Sequence, residues 1–275
     1  MTTIARRVAR KLRKSLAQAL REPLQRCAKV LGVDVTPMSG LYERLYEHVA
    51  QSLPSDVSIG EGDFDLIGRI ELGVLIMEGL APHHTLCDFG CGTGRLAVHA
   101  VPYLATGRYV GTDISESMLA SARARLSLQI SKPSAEVVFV KQRPDVFDVP
   151  DASVDFVCAF SVFTHMEPED AYRYLKAARR IVRLGGKFVF SCLPMRLAYA
   201  REIFVAAAEK RFEERWNYVR NFTTTTEQME TIASLAGWDV VRWYQGDEPS
   251  IRVALDDRML GLGQSVCALT PSQRV

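Results

Sequence analysis

A chain of 275 residues, 48% hydrophobic and 24% charged, suits one large α/β domain with additions, and its composition is that of an ordinary folded protein. No apolar run reaches the roughly 20 residues that cross a bilayer, and the N-terminus lacks the apolar core of a secretory signal. The formal charge of only +2 argues against a uniformly basic nucleic-acid binder, and six scattered cysteines fit neither a C-x-x-C pair nor a Cys/His zinc set, which points to reduced thiols in a cytoplasmic protein and to no metal.

The charge is unevenly placed. Residues 1–30 hold nine Lys/Arg against Glu22 alone, a local +8 that leaves −6 for the rest of the chain. At about 100° per residue, Ile4, Ala5, Val8, Ala9, Leu12, Leu16, Ala19 and Leu20 share one half of a helix. Arg6, Arg7, Arg10, Lys11, Arg13, Lys14 and Arg21 share the other. Such a helix suits peripheral contact with an anionic membrane, packing on the core or on a second subunit in an oligomer, an organelle transit peptide, or a nucleic-acid arm. The net acidic remainder disfavours nucleic acid as a partner. A basic helical extension is therefore expected over 1–53, and the Pro/Ser/Asp/Gly-containing stretch 53–63 separates it from a domain over 64–270.

Phe64 to Gly79 has helical spacing, with Leu66, Ile67, Ile70, Val74 and Leu75 as its apolar positions and Gly79 and Pro82 as its stop. Strands and helices then alternate, which predicts a parallel sheet with crossover helices. Strands are expected at 85–89, 108–112, 136–140, 154–160 and 187–191, the last opened by a turn at Gly185-Gly186. Helices are expected at about 94–105, 117–126 and 168–182. The last of these carries acid early (Glu169, Asp170) and base late (Lys176, Arg179, Arg180), in keeping with the helix dipole. Residues 193–225 break the alternation with a long helical pattern from Arg196 to about Arg220. Thr224-Thr-Thr-Glu227 has the form of a capping box for the next helix. Trp238 to Tyr244 reads as a sixth strand, and Ser265 to Leu269 as a seventh, antiparallel to it, followed by a frayed tail.

Function is carried by Thr85-Leu-Cys-Asp-Phe-Gly-Cys-Gly-Thr-Gly-Arg-Leu96. Glycine at alternate positions lets the backbone turn sharply and approach a ligand where a Cβ would clash. A nicotinamide site prefers G-x-G-x-x-G/A with a small residue at 95, where Arg95 stands, so an NAD-dependent oxidoreductase is disfavoured. Asp-x-Gly-x-Gly-x-Gly resembles the first motif of the class I S-adenosylmethionine (SAM) dependent methyltransferases. Tyr109-Val-Gly-Thr-Asp-Ile-Ser115, the strand-4 segment Asp155 to His165, and Arg180-Ile-Val-Arg-Leu-Gly-Gly186 resemble later motifs of that family, in its order. The resemblance implies a seven-stranded, mostly parallel Rossmann-like sheet with an antiparallel last strand. It implies SAM as cofactor and S-adenosylhomocysteine (SAH) as product.

Residue by residue, it assigns the cofactor to Asp88, Gly90, Cys91, Gly92 and Gly94. Asp113 would accept from the ribose hydroxyls, and Ile114 and Met118 would flank the adenine. The backbone at Phe160 and Ser161 would line the methionine side. The family's acid after the third strand has no direct counterpart: Gln142-Arg143 stands in its place, and Asp145 serves only if the loop is shifted. His165, following the fourth strand at the cofactor rim, is the candidate general base, the alternative being that it caps or packs the next helix. The insertion 193–225 is the expected substrate lid. Within it Arg196, Tyr199, Arg201, Trp216 and Tyr218 are candidates to meet the acceptor, while Phe204, Val205, Phe212 and Trp216 equally suit packing. The expected activity is methyl transfer to a small molecule or glycan, preferably O-methylation. N-methylation and a non-catalytic SAM-fold scaffold subunit are the alternatives.

Overall fold

The computed structural model describes residues 38–52, 63–143, 146–211, 214–216 and 219–273. The chain divides into two compact units, Met1–Tyr42 and Glu43–Val275. The basic face expected over 1–30 and the linker 53–62 lie outside the described residues.

The second unit is built on one sheet. Helix α1 spans Met38–Ser52 and α2 Phe64–Met77, which is N-capped by Asp63, whose carboxylate accepts from the Leu66 amide at 3.1 Å. Then follow β1 (Thr85–Phe89), α3 (Ala97–Tyr103), β2 (Arg108–Asp113), α4 (Glu116–Gln129), β3 (Glu136–Lys141) and β4 (Val154–Ala159). A 3-10 turn at Phe163–His165 leads to α5 (Pro168–Ile181) and β5 (Val182–Pro194). The C-terminal part holds α6 (Ala198–Ala208), β6 (Thr223–Thr224), α7 (Thr226–Leu235), β7 (Trp238–Tyr244), the small β8/β9 pair (Ile251–Arg252 and Met259–Leu260) and β10 (Ser265–Pro271).

Strand order is β3-β2-β1-β4-β5-β10-β7, with β6 paired to the end of β5. The first five strands are parallel, and β10 runs antiparallel to both β5 and β7. This is the Rossmann-like methyltransferase sheet that the motifs imply. Its alternation sorts the core into two layers. Leu86, Phe156, Cys158 and Val189 face α2 and α3, while Cys87, Phe89, Val157, Phe188 and Phe190 face α5 and α7. Chain order reverses between β1 and β4, so the crevice at their carboxyl ends is where a ligand-binding site is expected.

Three local expectations change. The single helix expected from Arg196 to Arg220 is α6 alone, followed by a 3-10 turn at Glu214–Trp216. Helix α6 ends at Ala208 with Glu209 as its C-cap, and beyond it the Glu214 carboxylate takes both the backbone amide (3.1 Å) and the guanidinium Nε (2.8 Å) of Arg211 at the start of the short turn. The capping box is shifted by one: Thr225 is the N-cap and accepts from the Gln228 amide. The glycine turn before the fifth strand is absorbed into β5, which begins at Val182 and shifts register against β4 near Gly185-Gly186.

Candidate functional site

Motif residues converge at the carboxyl ends of β1, β2 and β4. Gly90, Gly92 and Gly94 have φ of +74°, +53° and +86°, a region that costs an L-residue with a Cβ but not glycine. Gly90 is also needed for space, because a Cβ there would lie 2.5 Å from Val162 Cγ2 in the turn after β4. The loop is tied to β2 by hydrogen bonds from the Gly90 and Cys91 amides to the Thr112 carbonyl (2.8 and 2.9 Å).

Asp113, at the last position of β2, holds the loop from the other side. One carboxylate oxygen accepts from the Gly92 amide and the other from the Ser115 amide, both at 2.9 Å. Burial raises its pKa to about 6 against the lowering effect of these amides. A carboxylate has about four acceptor positions, so two further hydroxyls fit the remaining ones. Ile114 is half-buried beside it, and Met118 lies 2% exposed in the first turn of α4, where Ser115 is the N-cap.

Asp88 is one layer deeper. It is 3% exposed and accepts from the Tyr109 hydroxyl at 2.5 Å and from the Cys158 thiol at 3.5 Å. Burial lifts its pKa to about 7, although the Tyr109 bond works the other way. Its partners are Tyr109 of β2 and Cys158 of β4, so it ties the end of β1 to the strands on either side. Arg95 turns back to α2, where its Nη2 lies 2.5 Å from the buried Glu71 carboxylate. The guanidinium is thereby neutralised and offers little attraction to a phosphate.

Around β4 the structure gathers Phe160, which is buried in the core, Ser161, with φ +58°, and His165. The His165 Nδ1 lies 2.8 Å from the Arg220 carbonyl, and burial lowers the imidazole pKa. An Nδ1–H donated to that carbonyl leaves Nε2 as an acceptor in the neutral ring. Asp145 lies outside the described residues. Gln142 is turned into its own loop, with Nε2 donating to the Arg143 and Val146 carbonyls at 2.7 Å each, and Arg143 pairs with Asp148.

One contribution went unseen in the sequence. Residues 43–51 of α1 reach the same rim: Glu43 pairs with Lys141 at the end of β3, and Glu47 accepts from the Ser115 hydroxyl at 2.6 Å and from Ser117. The Tyr46 ring stands edge-on to His165 with centroids 5.9 Å apart. No chemical motif marks these residues, and only their proximity in the fold reveals them. In the insertion, Arg196 is held by Gln245 and Asp247, and Arg201 by the Met195 and Arg196 carbonyls. Tyr199, Phe204 and Val205 are exposed; the side chains of Phe212, Trp216 and Tyr218 lie outside the described residues. Among the described residues, no group of three or more His, Cys, Asp or Glu is placed to hold a metal, and no helix is long and apolar enough to cross a membrane.

Sheet order, glycine loop and neighbouring acid together define a Rossmann-like methyltransferase architecture of class I. Residues 86–186 match the family model described as a methyltransferase domain. A probable methyltransferase, ltbC of Aspergillus luteorubrus, is 30% identical over 105 residues, and the match spans 37% of either chain. Among solved structures, magnesium protoporphyrin IX methyltransferase of Synechocystis PCC 6803 with bound SAH superposes with TM-score 0.57 at 17% identity, covering 85% of this chain and 94% of that one. The CcbJ methyltransferase of Streptomyces caelestis gives TM-score 0.55 at 18% identity, over 84% and 99%.

Proposed function

We propose that the chain transfers a methyl group from SAM to a hydroxyl of a small molecule or glycan and releases SAH. The observation that carries this is the clasp between the glycine loop and Asp113, in which the acid anchors Gly92 and keeps acceptor capacity for a ribose diol. The chemistry nearby supports a nucleoside with an uncharged or cationic arm over a pyrophosphate. Asp113 and Glu47 are acidic, and Arg95 is already paired to Glu71. The match of residues 86–186 to a methyltransferase domain adds independent support.

When bound, the sulfonium supplies an activated methyl group, so the protein's tasks are alignment, exclusion of water and removal of one proton. Asp113 and the 90–94 loop would hold the nucleoside. Neutral His165, oriented by the Arg220 carbonyl, would accept the acceptor hydroxyl's proton at Nε2 as the new C–O bond forms. The S–C bond that breaks would leave its electron pair on the thioether of SAH, which Asp113 and the 90–94 loop would hold. The 193–225 insertion would serve as the acceptor lid, since it contributes Arg220 to this histidine.

Calorimetric titration of the full chain with SAH and with NAD tests the reading. We expect SAH binding in the micromolar range and none with NAD; no binding of SAH at millimolar concentration would leave a scaffold protein. With an acceptor in hand, His165→Gln is expected to lower kcat by about 100-fold or more while SAH affinity stays within a factor of about two. Unchanged turnover would favour an amine acceptor, which needs no base.

A further inference from the structure

A closed ring of hydrogen bonds joins three segments at the carboxyl ends of β4 and β5. The Ser161 amide donates to Ser191 Oγ at 2.7 Å, the Ser191 hydroxyl donates to Gln264 Oε1 at 2.6 Å, and Gln264 Nε2 donates to Ser161 Oγ at 2.9 Å. Ser191 is fully buried, so water does not compete for its bonds. Ser161 sits at φ +58°, a left-handed conformation that serine adopts only when its surroundings enforce it. Having accepted from Gln264, its hydroxyl retains its own hydrogen to donate outward. The next residue, Val162, packs directly on Gly90, where a Cβ would come within 2.5 Å. The ring therefore controls the turn that faces the glycine loop from the β4 side.

We propose that Gln264 is a positioning residue for the amino-acid arm of the cofactor, an inference that rests on the methyl-donor reading. Asp113 and Ile114 occupy the β2 side of the glycine loop, which suits the nucleoside. The β4 side is left for the aminocarboxyl arm, and Ser161 presents a hydroxyl and a left-handed peptide there. Gln264 acts through Ser161. It comes from the loop before β10, brought in because β10 inserts beside β5, with Ser265 opposite Cys192.

The test compares SAH with 5′-methylthioadenosine, which keeps the nucleoside and lacks the amino-acid arm. Full-length wild type, Gln264→Ala and Gln264→Glu are titrated with each by calorimetry. Glu keeps the side-chain shape and cannot donate to Ser161. Both variants are expected to bind SAH about 10-fold more weakly and methylthioadenosine within about twofold of wild type. Equal losses for the two ligands, or no loss for either, overturn the positioning role. If wild type itself binds neither ligand, the methyl-donor reading fails first, and the two failures are told apart.

Discussion

Asp113 spends part of its acceptor capacity on the protein and keeps the rest. The amides of Gly92 and Ser115 fix its two oxygens, and burial holds its pKa up at about 6. A ribose diol is bound best by the ionised form, so SAH affinity should be constant well above pH 6. It should weaken as pH falls through that value, reaching about a 10-fold loss at pH 5. Asp113→Asn should bind about 100-fold more weakly at pH 7.5 and show a flat profile, because two charge-assisted bonds are lost. Titrations of both proteins across pH 5–8 check this; parallel profiles would remove Asp113 from the site. Asp113 and the glycines were legible because motif spacing is local. Gln264, Tyr46 and Glu47 were not, since each works through contacts with residues at least 68 positions away, or, for Tyr46 and His165, over an even longer separation.

Helix α2 shows what elements add to a motif. Its glycines let other backbones approach: a Cβ at Gly68 would lie 2.5 Å from the Arg95 carbonyl oxygen, and one at Gly73 only 2.0 Å from that of Arg252. Beside Gly73 the Ala254 amide donates to the Arg69 carbonyl at 3.0 Å, and Arg69 Nε returns a bond to the Ala254 carbonyl at 2.9 Å. Alanine is the better helix former by about 1 kcal/mol, yet Gly73→Ala should destabilise by about 1–3 kcal/mol because rigid backbone must move. Thermal melting should fall by several degrees; a rise would show that the contact yields freely. Helical periodicity exposed α2, while its two close approaches depend on partners that periodicity does not register.

Over the whole molecule, the buried Asp88 gives stability a pH signature. Its pKa rises from 3.8 to about 7 on folding, mainly through burial. Its favourable contribution is thus full below about pH 4 and is lost as pH rises through about 7. Asp88→Asn keeps an acceptor for Tyr109 and has nothing to ionise. It should match wild type near pH 4 and be more stable at pH 8 by an amount on the order of 4 kcal/mol. Melting curves at the two pH values check this, and a constant difference would refute it. His165 contributes in the opposite sense: its lowered pKa costs stability as pH falls below 6.5.

The sequence alone determined the parallel strands, the glycine turn and the acid one strand away, because strand alternation, glycine spacing and strand–helix order are written within a few residues of each other. It also implied that the last strand is antiparallel. Only the tertiary structure decided that β10 enters between β5 and β7. The physical reason is burial on both faces, since Val266 to Leu269 is fully buried while the edge strand β7 exposes Val240 and Val241. That insertion delivers Gln264 to Ser161, just as packing delivers Tyr46 and Glu47 to the rim. Such long-range juxtapositions follow from which surfaces can be buried together, a property of the folded chain as a whole.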